Sequence, residues 1–185
     1  TNSVLCQIPE VQNNLLPISF EESRQAVETN IQTRNRALTN LQNGGCVGVF
    51  PGGTVSTSSR LRGFKGRAID PEWKNFTAKM IKKSGATVIP LYFEGQNSRL
   101  FQIASNMSST LRLSLLLNEV ARKIGRDVNV RVGKPVPQSQ LDLYKSDPTE
   151  MMEMLRVETY KLSGKPVAKY QFGWPHKPNE HKLAA

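Results

Sequence analysis

Residues 87–93 constrain the fold most tightly, because this run is almost continuously apolar and rich in β-branched and aromatic residues. A run of this length and composition predicts a strand buried on both faces of a parallel sheet. Amphipathic segments with helical spacing precede and follow it. Strands that alternate with helices of this kind predict an α/β fold, with a mostly parallel central sheet flanked by helices and right-handed crossovers.

The other periodic segments give the predicted order of elements. Helices are predicted over residues 4–14, 21–43, 71–84, 113–124 and 148–162, and further strands over residues 15–19, 46–50 and 127–132. The helix over 21–43 begins at Glu21 and Glu22 and ends before Gly44, as helices commonly do. The strand over 15–19 has no partner before it, so we expect a chain truncated at its N-terminus, beginning inside a larger sheet.

A chain of 185 residues with 38% hydrophobic and 22% charged residues fits one domain with its own core. We expect the domain to span residues 1–162, with a Pro- and Gly-rich tail over 163–181. Residues 182–185 resemble the start of a vector polylinker and are treated as vector-derived. Cys6 and Cys46 are far apart with no nearby histidine, which favours neither a disulfide framework nor a zinc site.

The formal net charge of +10 is concentrated in residues 60–83, which hold eight lysines and arginines against Asp70 and Glu72. Such a basic patch favours an anionic partner, for example phospholipid headgroups, nucleic acid or an acidic carrier protein. A solvated helix face is the alternative, and charge alone does not separate the two. Nucleic acid is not expected, because no basic array interleaved with aromatic residues stands out.

A glycine- and hydroxyl-rich loop follows the predicted strand over 46–50. Small residues let backbone N–H groups approach an anion, while hydroxyls and Arg60 or Arg62 add donors and charge. The loop is therefore a candidate phosphate cradle, with a plain connecting loop as the alternative. A Walker A loop needs a lysine after its last glycine, whereas Thr54 and Val55 follow here. ATP and NAD are not expected as cofactors.

Two short blocks resemble the glycerolipid acyltransferase superfamily. Residues 50–54, Phe-Pro-Gly-Gly-Thr, resemble the Phe-Pro-Glu-Gly-Thr block of glycerol-phosphate and lysophospholipid acyltransferases, and residues 88–91 resemble their later Val-Ile-Pro block. The run over 92–104, which contains Gly-Gln-Asn-Ser-Arg-Leu-Phe, resembles the haemolysin-like branch, some members of which are linked to ornithine-lipid synthesis. The resemblance covers residues 1–162 and implies a glycerol-phosphate acyltransferase-like fold.

The resemblance also implies transfer of an acyl chain from acyl-CoA or acyl carrier protein to the hydroxyl of a lysolipid, with no further cofactor and no metal. In the family a His-x4-Asp motif supplies the general base, and its aspartate orients the imidazole. Here the histidines are His176 and His181, and neither belongs to such a motif. We therefore expect a fragment without the histidine-bearing segment, inactive by itself.

Two departures from the family bear on headgroup binding. Gly52 stands where the family has a glutamate, and Val55 stands where it has an arginine. Arg60, Arg62 and Arg67 are candidate replacements for that arginine, and an acceptor without a simple phosphate, such as a lyso-ornithine lipid, fits the changes. The candidate substrate-binding residues are Phe50, Pro51, Gly52, Gly53, Thr54, Ser56, Arg60, Arg62, Val88, Ile89, Pro90, Asn97 and Arg99.

Two of these candidates rest on position rather than on the blocks. Asn97 and Arg99 follow the C-terminal end of the strand over 87–93, where open α/β sheets bind ligands, although plain loop anchoring is an equal alternative. A nearby apolar stripe at helical spacing is interpreted as core in preference to a membrane-facing surface. Its residues are Trp73, Phe76 and Met80.

The expected setting is the bacterial cytoplasm, with peripheral binding to the inner face of the cytoplasmic membrane through the basic patch over 60–83. No segment approaches the ~18 apolar residues that span a bilayer. The alternative function is a non-catalytic basic module that binds lipid headgroups or nucleic acid, which charge alone supports.

Overall fold

The structure, a computed structural model, describes residues 14–18, 23–58, 66–107 and 109–173. The predicted helix over 4–14 lies outside these residues except for Asn14. The elements in chain order are helix α1 (Arg24–Gln42), strands β1 (Thr57–Ser58) and β2 (Ala68–Ile69), helix α2 (Phe76–Ser84), strand β3 (Leu91–Phe93), helices α3 (Arg99–Met107) and α4 (Ser109–Lys123), strand β4 (Val130–Val132), and helices α5 (Gln138–Asp142) and α6 (Pro148–Lys161).

Helix α1 confirms the helix predicted over 21–43, because capping residues define both of its ends. The Ala26 N–H donates to the Ser23 hydroxyl at 3.1 Å, and Gly44 follows the helix with a φ of 78°. Val27 and Ile31 belong to the apolar stripe seen in the sequence, yet they are 58% and 44% exposed. The buried residues of α1 are the small side chains Ala26, Thr33 and Ala37.

The main core lies between α2 and α6, with contributions from α5 and the segment before it. Met80 is buried, and Trp73 packs against the core, so the core interpretation of these two residues is confirmed. Helix α2 begins at Phe76 instead of residue 71, because the Lys74 N–H is bonded to a carbonyl outside the helix. The buried core residues are Ala78, Ile81, Val136, Leu141, Met151, Met152, Met154 and Leu155.

The described strands form two two-stranded sheets, β1–β2 and β3–β4, and both are antiparallel. Residues 15–18 and 46–50 form no strand, so those two strand predictions are wrong over the described residues. The strands predicted over 87–93 and 127–132 are present but shortened to β3 and β4. Antiparallel pairing within these sheets does not decide the arrangement of a larger one, and the mostly parallel central sheet stays a prediction.

Proline shortens β3 at its N-terminal end. Pro90 has no N–H to donate, so only its carbonyl bonds to the facing chain, where it accepts from the Gly133 N–H at 2.9 Å. One step further, the Val88 carbonyl accepts from the Val136 N–H at 2.9 Å. The register has slipped by one residue between these two bonds, which ends the regular ladder.

The two faces of the β3–β4 sheet have different surroundings. Tyr92 points toward α6, where its ring lies 5.6 Å from that of Tyr160 in an edge-on arrangement. Leu91 and Phe93, on the other face, are 47% and 45% exposed. Over the described residues the prediction of a strand buried on both faces is therefore wrong, because about half of each of these two side chains stays exposed.

Helix α4 confirms the helix predicted over 113–124, and it packs side by side with α3, which was not predicted. At the start of α3, the Ser98 N–H donates to Glu119 of α4 at 2.9 Å, and the Ser98 hydroxyl donates to the same carboxylate. Burial raises the pKa of Glu119, but these bonds and the charges of Arg122 and Lys123 outweigh it, so the pKa is lowered overall. The carboxylate thereby holds the two helices together in its charged form.

Residues 163–173 pack back onto α6. Val167 is buried, and the buried Arg156 donates to the carbonyls of Ala168 and Gln171 at 3.3 and 3.0 Å. Arg156 also forms a paired contact with the Glu153 carboxylate at 2.7 and 2.9 Å. The described part of the predicted tail is thus anchored to the domain, while the proposed division at residue 162 stays a prediction.

Candidate functional site

The loop over residues 50–56 is a fixed turn. The Gly53 N–H donates to the Phe50 carbonyl at 3.3 Å, and Gly53 has a φ of 67°, which favours glycine. The Pro51 carbonyl accepts from the Lys74 N–H at 2.9 Å. These backbone bonds attach the loop to the segment before α2, which the sequence patterns did not indicate.

Gly52 has a packing role in this turn. It is buried, and a Cβ at this position would lie 3.4 Å from Cδ of Pro71, an ordinary contact. A glutamate side chain, which the resembling acyltransferases have here, would extend into that contact. Neighbouring Gly53 and Thr54 are exposed instead. The loop therefore offers Gly53 and Thr54, rather than Gly52, to a ligand from solvent.

Asp70 joins the loop to the core. Its carboxylate accepts from the Ser56 hydroxyl and from Nε1 of Trp73, the latter at 2.9 Å, and its backbone N–H donates to the Tyr160 hydroxyl oxygen at 2.8 Å. The Ser56 hydroxyl is consequently engaged by a carboxylate. A negative charge beneath the loop also opposes a phosphate bound there, which weakens the cradle interpretation of residues 50–56.

Arg67 is bound by protein groups. Its guanidinium donates to the Tyr92 hydroxyl at 3.2 Å, to the Ser163 hydroxyl at 2.8 Å and to the Lys165 carbonyl, and it lies 5.0 Å from the Tyr160 ring centroid. Stacking on an aromatic ring and several acceptors suit a structural arginine. These contacts place Arg67 in the domain's internal network, beside α6, rather than in the loop over 50–56.

Tyr160 is the centre of this network. Burial raises the pKa of its hydroxyl well above the usual range, and the Asp70 charge adds to the rise. The sequence patterns missed Tyr160, since it occurs within an ordinary amphipathic helix. Its bond to Asp70 joins residues separated by 90 positions, and no local signal reports such a contact.

The block over 50–54 makes one aromatic contact with strand β3, at Phe93, two residues beyond the block over 88–91. The Phe50 and Phe93 rings lie 5.9 Å apart, although Phe50 itself is 79% exposed. Val88 packs against the main core, whereas Ile89 is 50% exposed. Pro90 lines a shallow pocket of about 220 Å³ on the side of Lys134 and Lys161.

Asn97 and Arg99 have different surroundings. The Asn97 side-chain oxygen accepts from Nζ of Lys123 at 3.2 Å, which favours the loop-anchoring alternative for Asn97. Arg99 is exposed at the first residue of α3. Arg60 and Arg62 lie outside the described residues, so their part in headgroup binding stays a prediction.

Apart from Arg67, the described cations of the basic patch over 60–83 are exposed lysines. Lys74, Lys79, Lys82 and Lys83 all face solvent, the last three on the side of α2 opposite its buried residues. None of the four forms an ion pair with another described residue. An anionic partner is therefore free to approach this side of α2.

Neither a metal cluster nor a membrane span is found in the parts of the chain that the structure covers. Within 14–18, 23–58, 66–107 and 109–173, no three His, Cys, Asp or Glu residues come together as metal ligands. No helix in these ranges has the length and apolar character needed to cross a bilayer.

Comparison with known proteins supports an acyltransferase relationship. The chain is 31% identical over 121 residues to the lyso-glycine lipid O-acyltransferase of Phocaeicola vulgatus. The match covers 62% of this chain and 41% of that protein, so the chain spans less than half the length of its relative. No family model and no solved structure matches. This chain is therefore related to part of an O-acyltransferase, and the haemolysin-like branch stays a prediction.

Proposed function

We propose that this chain is part of a lysolipid O-acyltransferase and contributes to the binding of the lysolipid acceptor. The observation that carries the proposal is the 31% identity to a lyso-glycine lipid O-acyltransferase over 121 residues. The two sequence blocks over 50–54 and 88–91 point to the same chemistry. Phe50 of the first block contacts Phe93, two residues beyond the second block.

The proposed acceptor is an amino-acid lysolipid, with a lyso-glycine lipid first and a lyso-ornithine lipid or lysophospholipid as alternatives. A headgroup of this kind presents a carboxylate instead of a phosphate, and it needs less positive charge. Such a headgroup carries less negative charge than a phosphate monoester, so Asp70 opposes it less, near a loop that has Val55 where the resembling enzymes have an arginine. Exposed Gly53 and Thr54 are the loop groups proposed to contact it.

The reaction would form an ester bond between the acceptor hydroxyl and the acyl carbon while the thioester C–S bond breaks. The hydroxyl proton passes through a general base to the leaving thiolate. Acyl carrier protein or CoA is the proposed donor, and an acidic carrier suits the exposed Lys79, Lys82 and Lys83 of α2. The sequence contains no His-x4-Asp, so we propose that the chain by itself does not catalyse the transfer.

The test is lipid analysis by mass spectrometry in a bacterial host that accumulates lyso-glycine lipid. The complete reading frame that contains this chain is expected to convert it to the O-acylated product, whereas the 185-residue chain alone is not. The same host supplied with lyso-ornithine lipid or lysophosphatidate ranks the acceptors. If the complete reading frame acylates none of the three, the proposed function is wrong, and binding without conversion would favour the non-catalytic alternative.

A further inference from the structure

The β3–β4 sheet has one apolar face that the described residues leave about half exposed. Leu91 lies opposite Val132, and Phe93 lies opposite Val130, so these four side chains share one face of the antiparallel pair. All four are between 41% and 66% exposed. Their neighbours in the strands, at positions 92 and 131, belong to the other face, which packs toward α6.

The exposed face continues beyond the four paired residues. Ile89 and Val128 extend it along the two chains with the same alternation, at 50% and 58% exposure, and Phe50 joins it through its ring contact with Phe93. Exposed apolar residues that occur singly are ordinary, but a contiguous set of this size marks an interaction surface. The sheet surface, as the name is used below, consists of Phe50, Ile89, Leu91, Phe93, Val128, Val130 and Val132.

Exposed lysines lie at the Phe50 and Ile89 edges of the sheet surface, and exposed Asp127 precedes Val128 at its other end. The β3–β4 register continues through the pair of residues 90 and 133, and exposed Lys134 follows directly, at the end of the regular ladder beside Ile89. Exposed Lys74 is attached beside Phe50, because its N–H donates to the adjacent Pro51 carbonyl. The nearest strand carboxylate, at position 94, is paired with an arginine on the opposite face. An apolar surface with cations at its edge matches an anionic lipid interface.

We propose that the sheet surface binds an anionic lipid bilayer, with Phe50 and the aliphatic side chains inserted at the interface and Lys74 and Lys134 at the level of the phosphates. Aromatic and aliphatic side chains enter the headgroup region, while lysine stems lie along it and keep their charges near the anionic lipids. A second copy is a poorer occupant, because a symmetric pair would bring the edge lysines of both copies into one interface.

Bilayer binding through this surface is separate from the acyl transfer proposed above and does not require acyl transfer to occur. It adds a positional consequence that rests on the proposed function. Phe50 is the first residue of the loop over 50–56, so docking brings exposed Gly53 and Thr54 to the surface where lysolipids reside. The proposed bilayer contact lies on the strands and includes Lys74, whereas the sequence predicted the whole basic patch over 60–83.

The test is flotation of the complete 185-residue chain with vesicles of phosphatidylglycerol and phosphatidylcholine, compared with vesicles of phosphatidylcholine alone. Neither mixture contains a lysolipid or an acyl donor, so the result is independent of catalysis. We expect binding to the anionic vesicles, and about tenfold weaker binding for Phe50→Ser with Val132→Ser, which removes two inserted side chains. Lys74→Glu with Lys134→Glu is expected to weaken binding by at least about tenfold.

Two controls separate this surface from others. Leu143→Ser changes a side chain that is 77% exposed, nearly as exposed as Phe50, outside the sheet surface, and is expected to leave binding unchanged. Lys82→Glu with Lys83→Glu changes the exposed side of α2 and is expected to weaken binding less than the Lys74 and Lys134 pair. Far-UV circular dichroism establishes whether each variant folds. If Phe50→Ser with Val132→Ser does not fold, vesicle binding by Lys74→Glu with Lys134→Glu tests the proposal.

Three results would overturn the proposal. One is the absence of binding to the anionic vesicles. Another is loss of binding with the α2 variants while the sheet-surface variants bind normally, which would return the membrane site to the basic patch. The third is conversion of a dimer to a monomer by the sheet-surface variants with vesicle binding unchanged, since the occupant would then be a second copy. Failure of acyl transfer in the lipid analysis leaves all three readouts unaffected.

Discussion

Replacing Arg156 with methionine tests whether the internal network of this chain depends on a buried ion pair. Arg156 has no exposed surface, and Glu153 is 3% exposed, so the substitution leaves a buried carboxylate without its guanidinium. The donor that remains to Glu153 is the Tyr170 N–H, at 2.5 Å. Breaking such a pair from one side costs about 3–5 kcal/mol, a large part of the ~5–15 kcal/mol that stabilises a domain.

The double variant Arg156→Met with Glu153→Met is the informative partner. It removes both buried charges. The groups that lose a bond are the carbonyls of Ala168 and Gln171 and the Tyr170 N–H, and these belong to exposed or half-buried residues rather than to the buried core. Replacement of a whole buried pair by apolar side chains is often neutral or stabilising. We therefore expect the double variant to be more stable than Arg156→Met by about 2 kcal/mol or more.

Urea denaturation followed by far-UV circular dichroism measures both free energies of unfolding. The slope of the free energy of unfolding against urea concentration must be the same in all variants, so that the midpoints report stability alone. Arg156→Lys is the matched control, since it keeps the charge but loses the paired geometry with Glu153, and it is expected to fall between wild type and Arg156→Met. A single-variant cost below about 1 kcal/mol, or a double variant whose loss equals the sum of both singles, would refute the reasoning.

Three further predictions concern the loop and the helix pair. Gly52→Glu is expected to lower the free energy of unfolding by roughly 1–3 kcal/mol, because it forces a carboxylate into a buried contact. Gly52→Ala is expected to change it by less than about 1 kcal/mol. Equal urea midpoints for the two variants would contradict this prediction. Asp70→Asn is expected to cost about 1–2 kcal/mol and to alter Trp73 fluorescence, since the indole loses a charged acceptor; an unchanged emission spectrum argues against the contact. Glu119→Gln removes a group whose pKa is lowered by folding, so its stabilisation is full above the ordinary pKa of 4.5 and is lost as the pH falls through the lowered value. The difference in free energy of unfolding between wild type and Glu119→Gln should therefore be largest near neutral pH and shrink in acid. A difference that does not change with pH would show that the bonds between Glu119 and Ser98 do not stabilise the fold.

The helices were predictable because their signals are local. Helix α1 occurs where Ser23 can cap it and Gly44 can end it, and α6 begins after Asp147, which accepts from the N–H groups of Thr149 and Glu150. Each of these contacts joins residues within a few positions of one another. The sequence therefore contains both partners of the interaction within one short window.

The strands were less predictable because a strand exists only with a partner. Residues 46–50 have the composition of a strand, but no described residue pairs with them, and they form none. The apolar run over 87–93 predicted burial on both faces, since composition reports what a segment tolerates and not what covers it. In the structure Leu91 and Phe93 face outward, which is the observation behind the bilayer proposal.

The candidate site shows the same division. The sequence alone determined helices α1, α2, α4 and α6, the glycine-rich turn and the two blocks that relate the chain to an O-acyltransferase. Tertiary structure alone decided that Ser56 and Trp73 are bound by Asp70, that Arg67 belongs to the internal network, and which face of β3 is exposed. The physical reason is sequence separation. Capping and turn formation depend on neighbouring residues, whereas charge pairing and burial depend on residues that only folding brings together.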